Sequence, residues 1–299
     1  MEKVLITGGT GLIGRRLSKI LSAQGYEICW LSRNPAPNAK YRSFTWNIEQ
    51  GKIEENTFEN LNYIIHLAGA GIADNKWTDQ RKKIILDSRV ASTKLLYHYI
   101  QKLQIPLKAF ISSSAIGYYG SVTSEIIFKE DDNSGGDFIA KVCKLWEQAI
   151  FEFEANKIRT IAIRTGIVLS NKGGALAKMK TPVITPLGNG FQYMPWIHML
   201  DMVRAIVYLV ETPHASGEFN VCAPHPVTNK TFSRSLAKAL KRPHLLFTPK
   251  WILKLMMGES SCLLFDSLRA KPKKLTELGF IFAYSRIEPA LKNFLQNQN

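Results

Sequence analysis

Along the first half of the chain, short apolar runs alternate with longer stretches whose apolar residues recur at helical spacing. Residues 4–7 form a short β-type run. Residues 12–23 follow, with Leu12, Ile13, Leu17, Ile20 and Leu21 on one helical face. Gly25 stands where a glycine cap closes a helix. Residues 27–31 predict a second strand, and Asn34-Pro35-Ala36-Pro37-Asn38 predicts a loop, because proline and asparagine interrupt regular structure. Further strands are expected at 63–67, 109–112 and 160–165, and helices at 77–103 and 138–155. The apolar stripe of the 77–103 helix runs through Ile84, Ile85, Leu95, Leu96, Tyr99 and Ile100.

Repeated strand–helix alternation predicts an α/β fold, a doubly wound parallel sheet with helices on both faces. In such a sheet ligands bind outside the carboxyl ends of the strands, where this chain sets its glycine and serine clusters. From about Leu169 the pattern changes. Gly173-Gly174, Pro182, Pro186, Gly188 and Gly190 make a loop-rich stretch. A helix at 199–210, a strand near 218–222 and helices near 231–240, 250–257 and 288–295 follow. The expected organisation is a dinucleotide-binding domain over 1–170, its sheet completed by parts of 195–222. A smaller C-terminal substrate lobe over 171–299 then includes a basic domain at about 248–297.

Composition narrows the class. A chain of 299 residues makes one large domain or two unequal ones. Its 45% hydrophobic and 21% charged content excludes disorder. No run of 18 apolar residues occurs, so no spanning helix is predicted. Cys29, Cys143, Cys222 and Cys262 lie far apart with no C-x-x-C, which excludes a Cys-rich zinc site and a disulfide scaffold. The start of the chain lacks the long apolar core of a secretion signal, so a cytoplasmic location is expected.

The formal net charge is +15, and residues 229–299 hold 13 Lys and Arg against 4 Asp and Glu. Arg269-Ala270-Lys271-Pro272-Lys273-Lys274 is the densest basic run. No zinc spacing, aromatic RNA-binding motif or basic heptad array accompanies it, so a solvated face is expected and no nucleic-acid partner. No membrane partner is expected either.

Gly8, Gly11 and Gly14 lie between the first strand and the first helix. Gly8 permits the tight turn, Gly11 lets a phosphate approach the backbone, and Gly14 lets helix and strand pack closely. The helix start adds free N–H groups and partial positive charge toward a pyrophosphate. The second strand ends in Ser32-Arg33, with no acid to bond the ribose hydroxyls as NAD sites have. Arg33 suits a 2′-phosphate instead, so NADP(H) is expected over NAD(H).

With these features the chain resembles the extended short-chain dehydrogenase/reductase superfamily, of the NAD-dependent epimerase/dehydratase type. The stretch Thr7-Gly8-Gly9-Thr10-Gly11-Leu12-Ile13-Gly14 resembles its opening motif, and His66-Leu67-Ala68-Gly69 its second cofactor loop. Ile111-Ser112-Ser113-Ser114-Ala115 resembles its serine motif, with Ser114 at the catalytic position. Further segments resemble a subgroup of epimerase-family proteins labelled cell-division inhibitor-like. Among them are Gly117-Tyr118-Tyr119-Gly120, Arg164-Thr165-Gly166, Pro195-Trp196-Ile197-His198 and, in the tail, Gly279-Phe280. The resemblance implies a Rossmann-type fold and a Ser–Tyr–Lys catalytic set. The cofactor residues it implies, with those read from the motif, are Gly8, Thr10, Gly11, Leu12, Ile13, Gly14, Ser32, Arg33, His66, Leu67, Ala68, Gly69, Arg89, Ser112, Arg164 and Gly166. For Arg89 a phosphate or ribose contact and a helix-surface salt bridge stand as equal readings.

The catalytic pair itself is missing. In that superfamily a tyrosine exchanges a proton with substrate while a lysine one helical turn on lowers its pKa from about 10. No tyrosine of this chain has lysine four places on. Counting back from Glu147, which resembles the acid after the motif, puts Ile139 and Cys143 at the two positions, and a register shifted by one gives Phe138 and Val142. Ser114, Tyr118, Tyr119 and His198 remain as catalytic candidates. The last three also have structural readings: packing in a Gly-Tyr-Tyr-Gly turn for the tyrosines, and a helix cap or a bridge to Asp201 for His198. Cys143 acts only if its thiolate is stabilised, and otherwise belongs to the core.

Two readings therefore stand, an NADP(H)-dependent epimerase or oxidoreductase with an altered proton relay and a catalytically silent NADP(H)-binding regulator. The substrate is expected between Ser112–Ser114 and Gln192, Trp196 and His198, where Trp and Gln favour a flat or polar small molecule. The two long helices resemble those that pair subunits in the superfamily, so the chain is expected as a monomer or a homodimer.

Overall fold

The structure, a computed structural model, describes residues 1–35, 39–121 and 125–296. Residues 36–38 of the expected loop lie outside the described residues.

The chain opens β1 (Lys3–Thr7), α1 (Leu12–Ala23), β2 (Glu27–Ser32), β3 (Arg42–Asn47), β4 (Lys52–Ile53), β5 (Leu61–His66). It continues α2 (Asp79–Lys102), β6 (Ala109–Ala115), α3 (Phe138–Phe151), β7 (Arg159–Thr165), β8 (Ile167–Leu169), α4 (Gly174–Met179). Then come β9 (Tyr193–Met194), β10 (Trp196–His198), α5 (Met199–Glu211), β11 (Gly217–Val221), β12 (Val227–Thr228) and α6 (Asn229–Leu240). The chain closes with α7 (Lys250–Met257), α8 (Cys262–Phe265), α9 (Lys273–Glu277) and α10 (Ile287–Gln296).

Eight strands form one sheet in the order β11-β7-β6-β5-β1-β2-β3-β4. All neighbours are parallel except β3 and β4. Strand side chains alternate between faces, and here both faces are covered. Val4 and Ile6 of β1 pack with α1 and α5, whereas Leu5 packs with α2 and α3. That is why the strands read as continuous apolar runs. The expected doubly wound α/β sheet is what forms.

Strands β3 and β4 went unread in the sequence. Phe44 and Trp46 of β3 are buried, with exposed Thr45 between them, so the period-two signal is present but short and flanked by polar residues. Helix α3 is shorter than the 138–155 expected, because the chain tightens into a 3₁₀ turn at Glu152–Asn156.

Beyond β7 the chain builds a second, smaller core. Trp196, fully buried, packs with Phe232 and Leu236 of α6 and with Leu291 and Phe294 of α10. The C-terminal segment is threaded back onto the sheet: Leu275 of α9 and Phe280 join the core beneath β11. The lobe thereby rests on the carboxyl ends of β6 and β7, where the glycine and serine clusters lie.

Candidate cofactor and substrate site

The β1–α1 turn is built by glycines that admit no side chain. Gly8 holds a φ of +68°, and its carbonyl accepts from the Gly11 N–H at 2.9 Å. A Cβ at Gly14 would collide with that same carbonyl, so only glycine lets α1 start this close to the strand. Gly11 caps α1 with no side-chain hydrogen bond, which leaves the first-turn N–H groups facing outward. This cradle fits a pyrophosphate.

The second loop is pinned to the first. Thr7 Oγ1 accepts from the Leu67 and Ala68 N–H groups, each at 3.1 Å, and meets His66 Nδ1 at 2.7 Å. His66 Nε2 meets Ser92 Oγ of α2 at 3.0 Å. Burial holds the His66 imidazole down to about 3, so it is neutral. Arg89 lies against the same loop, donating to the Ala70 carbonyl at 3.1 Å and the Ile85 carbonyl at 3.0 Å. It forms no salt bridge among the described residues. Arg33 is exposed at the end of β2 and has no hydrogen bond or ion pair with a described residue.

A cavity of about 360 Å³ opens beside this second loop. Ile72 and Ala73 line it from the loop, Ala115, Ile116 and Gly117 from the end of β6, and Thr165, Gly166 and Ile167 from the end of β7. Met179, Leu187, Met194, Leu263 and Leu268 close it from the lobe, so apolar groups dominate its wall. Gln192 lines it as expected, but its amide is spent on the Leu187 and Leu264 carbonyls. Trp196 does not line it; its indole is in the lobe core and donates to the His225 carbonyl. The cavity wall is thus more apolar than the Trp and Gln positions predicted.

Several nominated side chains are occupied elsewhere. Ser114 is buried and donates to Glu147 Oε1 at 2.6 Å. Glu147 in turn holds Arg164 through two bonds of 2.9 and 2.8 Å. Arg164 also donates to the Tyr119 hydroxyl and the Glu130 carbonyl, each at 2.9 Å. Arg164 is thus the centre of a buried ion-pair network, its guanidinium nitrogens all engaged by protein partners. Tyr119 is buried, donates to Asn220 Oδ1 at 2.8 Å, and has its pKa raised by burial, the reverse of what a proton relay requires. Ser112 is buried with its hydroxyl on the Ser113 carbonyl.

His198 caps α5: its Nδ1 accepts the Leu200 N–H at 3.0 Å, and its ring stacks on Phe294. Burial lowers its pKa to about 4, and it is not among the residues that line the cavity. Tyr118 is half-buried under the Arg164 guanidinium, 3.7 Å from its ring centroid.

Of the two positions counted back from Glu147, Ile139 reaches the cavity and Cys143 does not. Ile139 lines the cavity, and a Cβ at Gly117 would run into its side chain. Cys143 lies behind it, fully buried, its thiol pushed up to about 12 by burial and by Glu147. Sequence reasoning missed Asp137 and Asp266, which also line the cavity. Asp137 caps α3, accepting from Ala140 and Ser121 N–H groups at 2.9 and 2.6 Å. The Asp266 carboxyl is held above the usual range by burial and by the Asp137 charge, against the hydrogen bond from Ser121. No local pattern marks Asp266; it reaches the cavity only because the lobe folds back.

The NAD dependent epimerase/dehydratase family profile matches residues 4–222, and the profile of a domain of unknown function, DUF1731, matches 248–294. The epimerase family protein YfhF of Bacillus subtilis (strain 168) is 35% identical, over 99% of this chain and 98% of that protein. The crystal structure of the human epimerase family protein SDR39U1 (isoform 2) with NADPH superposes with a TM-score of 0.88 at 28% identity, covering 99% of each chain. The nucleoside-diphosphate sugar epimerase of Corynebacterium glutamicum superposes with a TM-score of 0.76 at 28% identity, covering 99% of this chain and 60% of that one.

Proposed function

The chain belongs to the NAD dependent epimerase/dehydratase family, and on that premise we propose that it binds NADP(H) in preference to NAD(H) and exchanges hydride with a small, largely apolar molecule. The observation that carries this reading is the apolar cavity that shares a wall with the second cofactor loop and the ends of β6 and β7. Gly8, Gly11 and Gly14 with the start of α1 hold the pyrophosphate. Arg33 meets the 2′-phosphate with a charge-assisted bond that an acid there would forbid. The relative solved with NADPH supports that choice. When bound, the nicotinamide supplies the hydride donor or acceptor.

The chain's own residues do the rest. Thr7 and Arg89 hold the second loop in place, and the apolar wall excludes water from the reacting end. No Tyr–Lys pair serves the proton. Tyr193 lines the cavity, but its hydroxyl is turned to Glu125, and Asp137 is spent on capping α3. Asp266, whose side chain accepts a hydrogen bond from the Ser121 side chain but caps no helix start, is the carboxyl placed to exchange a proton there, and its raised pKa suits it to carry one. The four cysteines are free, which suits the reducing cytoplasm we assign to it.

A catalytically silent NADP(H)-binding role is the second reading. It is favoured by the capture of the Ser114 and Tyr119 hydroxyls in structural bonds. The test is a nucleotide-fluorescence titration with NADPH and NADH, followed by nicotinamide absorbance with a panel of apolar aldehydes and ketones. NADPH should bind at least about tenfold more tightly, in line with a charge-assisted pair in place of a neutral one. Turnover should fall in Asp266→Asn with NADPH binding unchanged. Equal affinities overturn the cofactor choice; tight NADPH binding with no turnover on any member leaves the silent role.

A further inference from the structure

The most exposed apolar stretch of the lobe lies in a segment that carries cations and no acid. Residues 229–258 carry seven Lys and Arg and no Asp or Glu. Within them Leu246 is 88% exposed, Trp251 68%, Leu255 74% and Met256 65%, and Leu245 and Phe247 are more than half exposed. Not one residue of α7 is buried. Trp251 and Leu255 stand four apart, on one helix face, and Lys250 and Lys254 form a parallel row beside them.

The segment before α7 is anchored. The Leu245 N–H donates to the Ile184 carbonyl at 3.0 Å and the Thr248 N–H to the Pro186 carbonyl at 2.8 Å. The backbone is therefore fixed while the side chains of 245–247 point away from the lobe into solvent. Exposed apolar residues of a monomer are normally scattered, and a contiguous set marks an interaction surface.

Charge decides the occupant. A second copy docked across a twofold axis would set Lys250 and Lys254 against their own counterparts. A nucleic acid would answer the cations but leave the Leu, Met and Trp side chains without a partner. An anionic lipid surface takes both, because apolar tips enter the acyl boundary while the lysines meet phosphates. Among the described residues no helix is long and apolar enough to cross a membrane, and α7 has eight residues, so the contact is a surface one.

We propose that the exposed face of 245–256 is a peripheral docking surface for an anionic lipid bilayer. The absence of a spanning run, on which the expectation of no membrane partner rested, has no bearing on such a surface. The face adjoins the cavity: Lys250 and Asp266 line one hollow of about 510 Å³, and Asp266 also lines the cavity. A molecule drawn from the bilayer would thus reach the lobe beside it.

The test is cosedimentation of the full chain with phosphatidylcholine vesicles and with vesicles containing one-third phosphatidylglycerol. The chain should sediment with the anionic vesicles only, and less as salt rises. The Leu246→Glu/Trp251→Glu variant should bind at least about tenfold more weakly, and Lys250→Gln/Lys254→Gln roughly tenfold or more. Both should keep the parent far-ultraviolet circular dichroism and Tm. If the acidic variant misfolds, Leu255→Gln replaces it and should also weaken sedimentation. No sedimentation with anionic vesicles at low salt overturns the proposal. So does sedimentation that the apolar variants leave unchanged, and so does a dimer that they break while vesicles are ignored.

Discussion

The side chains of Thr7 and His66, at the carboxyl ends of adjacent parallel strands, meet at 2.7 Å and tie the two cofactor loops together. Thr7 Oγ1 already accepts two backbone N–H groups, so it donates its own hydrogen to His66 Nδ1. Ser92 Oγ donates to the Ser88 carbonyl, so it accepts from His66 Nε2. The network therefore requires the neutral ring protonated on Nε2. A second proton would aim Nδ1–H at a hydroxyl with no room to accept it.

This arrangement predicts a pH dependence. The folded-state pKa of His66 is held to about 3, against about 6.5 in an unfolded chain. Below about pH 6.5 the unfolded state takes up a proton that the folded state refuses, so stability falls with pH down to about 3. The slope from this residue approaches about 1.4 kcal/mol per pH unit. His66→Gln should flatten urea-unfolding stability against pH between 6 and 4 by about one proton's worth. A variant as steep as the parent removes His66 from this role.

Arg33→Glu should weaken NADPH binding by roughly 100-fold, since a charge-assisted pair is replaced by like-charge repulsion. NADH affinity should change by less than about threefold, because no phosphate faces the new acid. Isothermal titration with both nucleotides checks this. Equal losses for the two would place Arg33 away from the 2′-phosphate.

Glu147→Gln leaves the Arg164 guanidinium buried without its countercharge, and both side chains of the pair are nearly inaccessible to water. The expected cost is about 3–5 kcal/mol in chemical denaturation. Ser114→Ala removes one bond to the same carboxylate and should cost about 1.5–3 kcal/mol. Because this hydroxyl faces Glu147, NADPH affinity should stay within about twofold of the parent. A large loss of NADPH binding with unchanged stability would place Ser114 against the cofactor instead of Glu147.

Installing the missing pair as Ile139→Tyr/Cys143→Lys should not create a relay. Cys143 is fully buried and interacts electrostatically with Arg89, so a lysine there sets a second cation in an apolar site. A destabilisation of about 3 kcal/mol or more is expected in thermal or urea unfolding. A stable double variant with raised hydride turnover would contradict the assignment of these positions to packing.

Much of the cofactor half was legible in the chain. The Gly8, Gly11 and Gly14 spacing, the apolar run before it and the stripe of α1 are local patterns, and local sterics decide them. The place of the missing pair was legible to within one residue, as Ile139 and Cys143 or Phe138 and Val142, since one helix carries them at near-fixed spacing from Glu147. The β3–β4 pair was less so, because Phe44 and Trp46 are only two buried positions among polar neighbours.

The candidate site divides along the same line. Residue order alone determined a dinucleotide cradle, the Arg33 position and the loss of Tyr-x-x-x-Lys, because each depends on neighbours within a turn or two. Tertiary structure alone decided which polar groups remain available. Ser114 meets Glu147 across 33 positions, Tyr119 meets Asn220 across 101, and Asp266 reaches the cavity wall from the far end of the chain. A hydroxyl or carboxyl is reactive or inert according to the partner that packing brings to it, and that partner lies too far along the chain for any local pattern to announce.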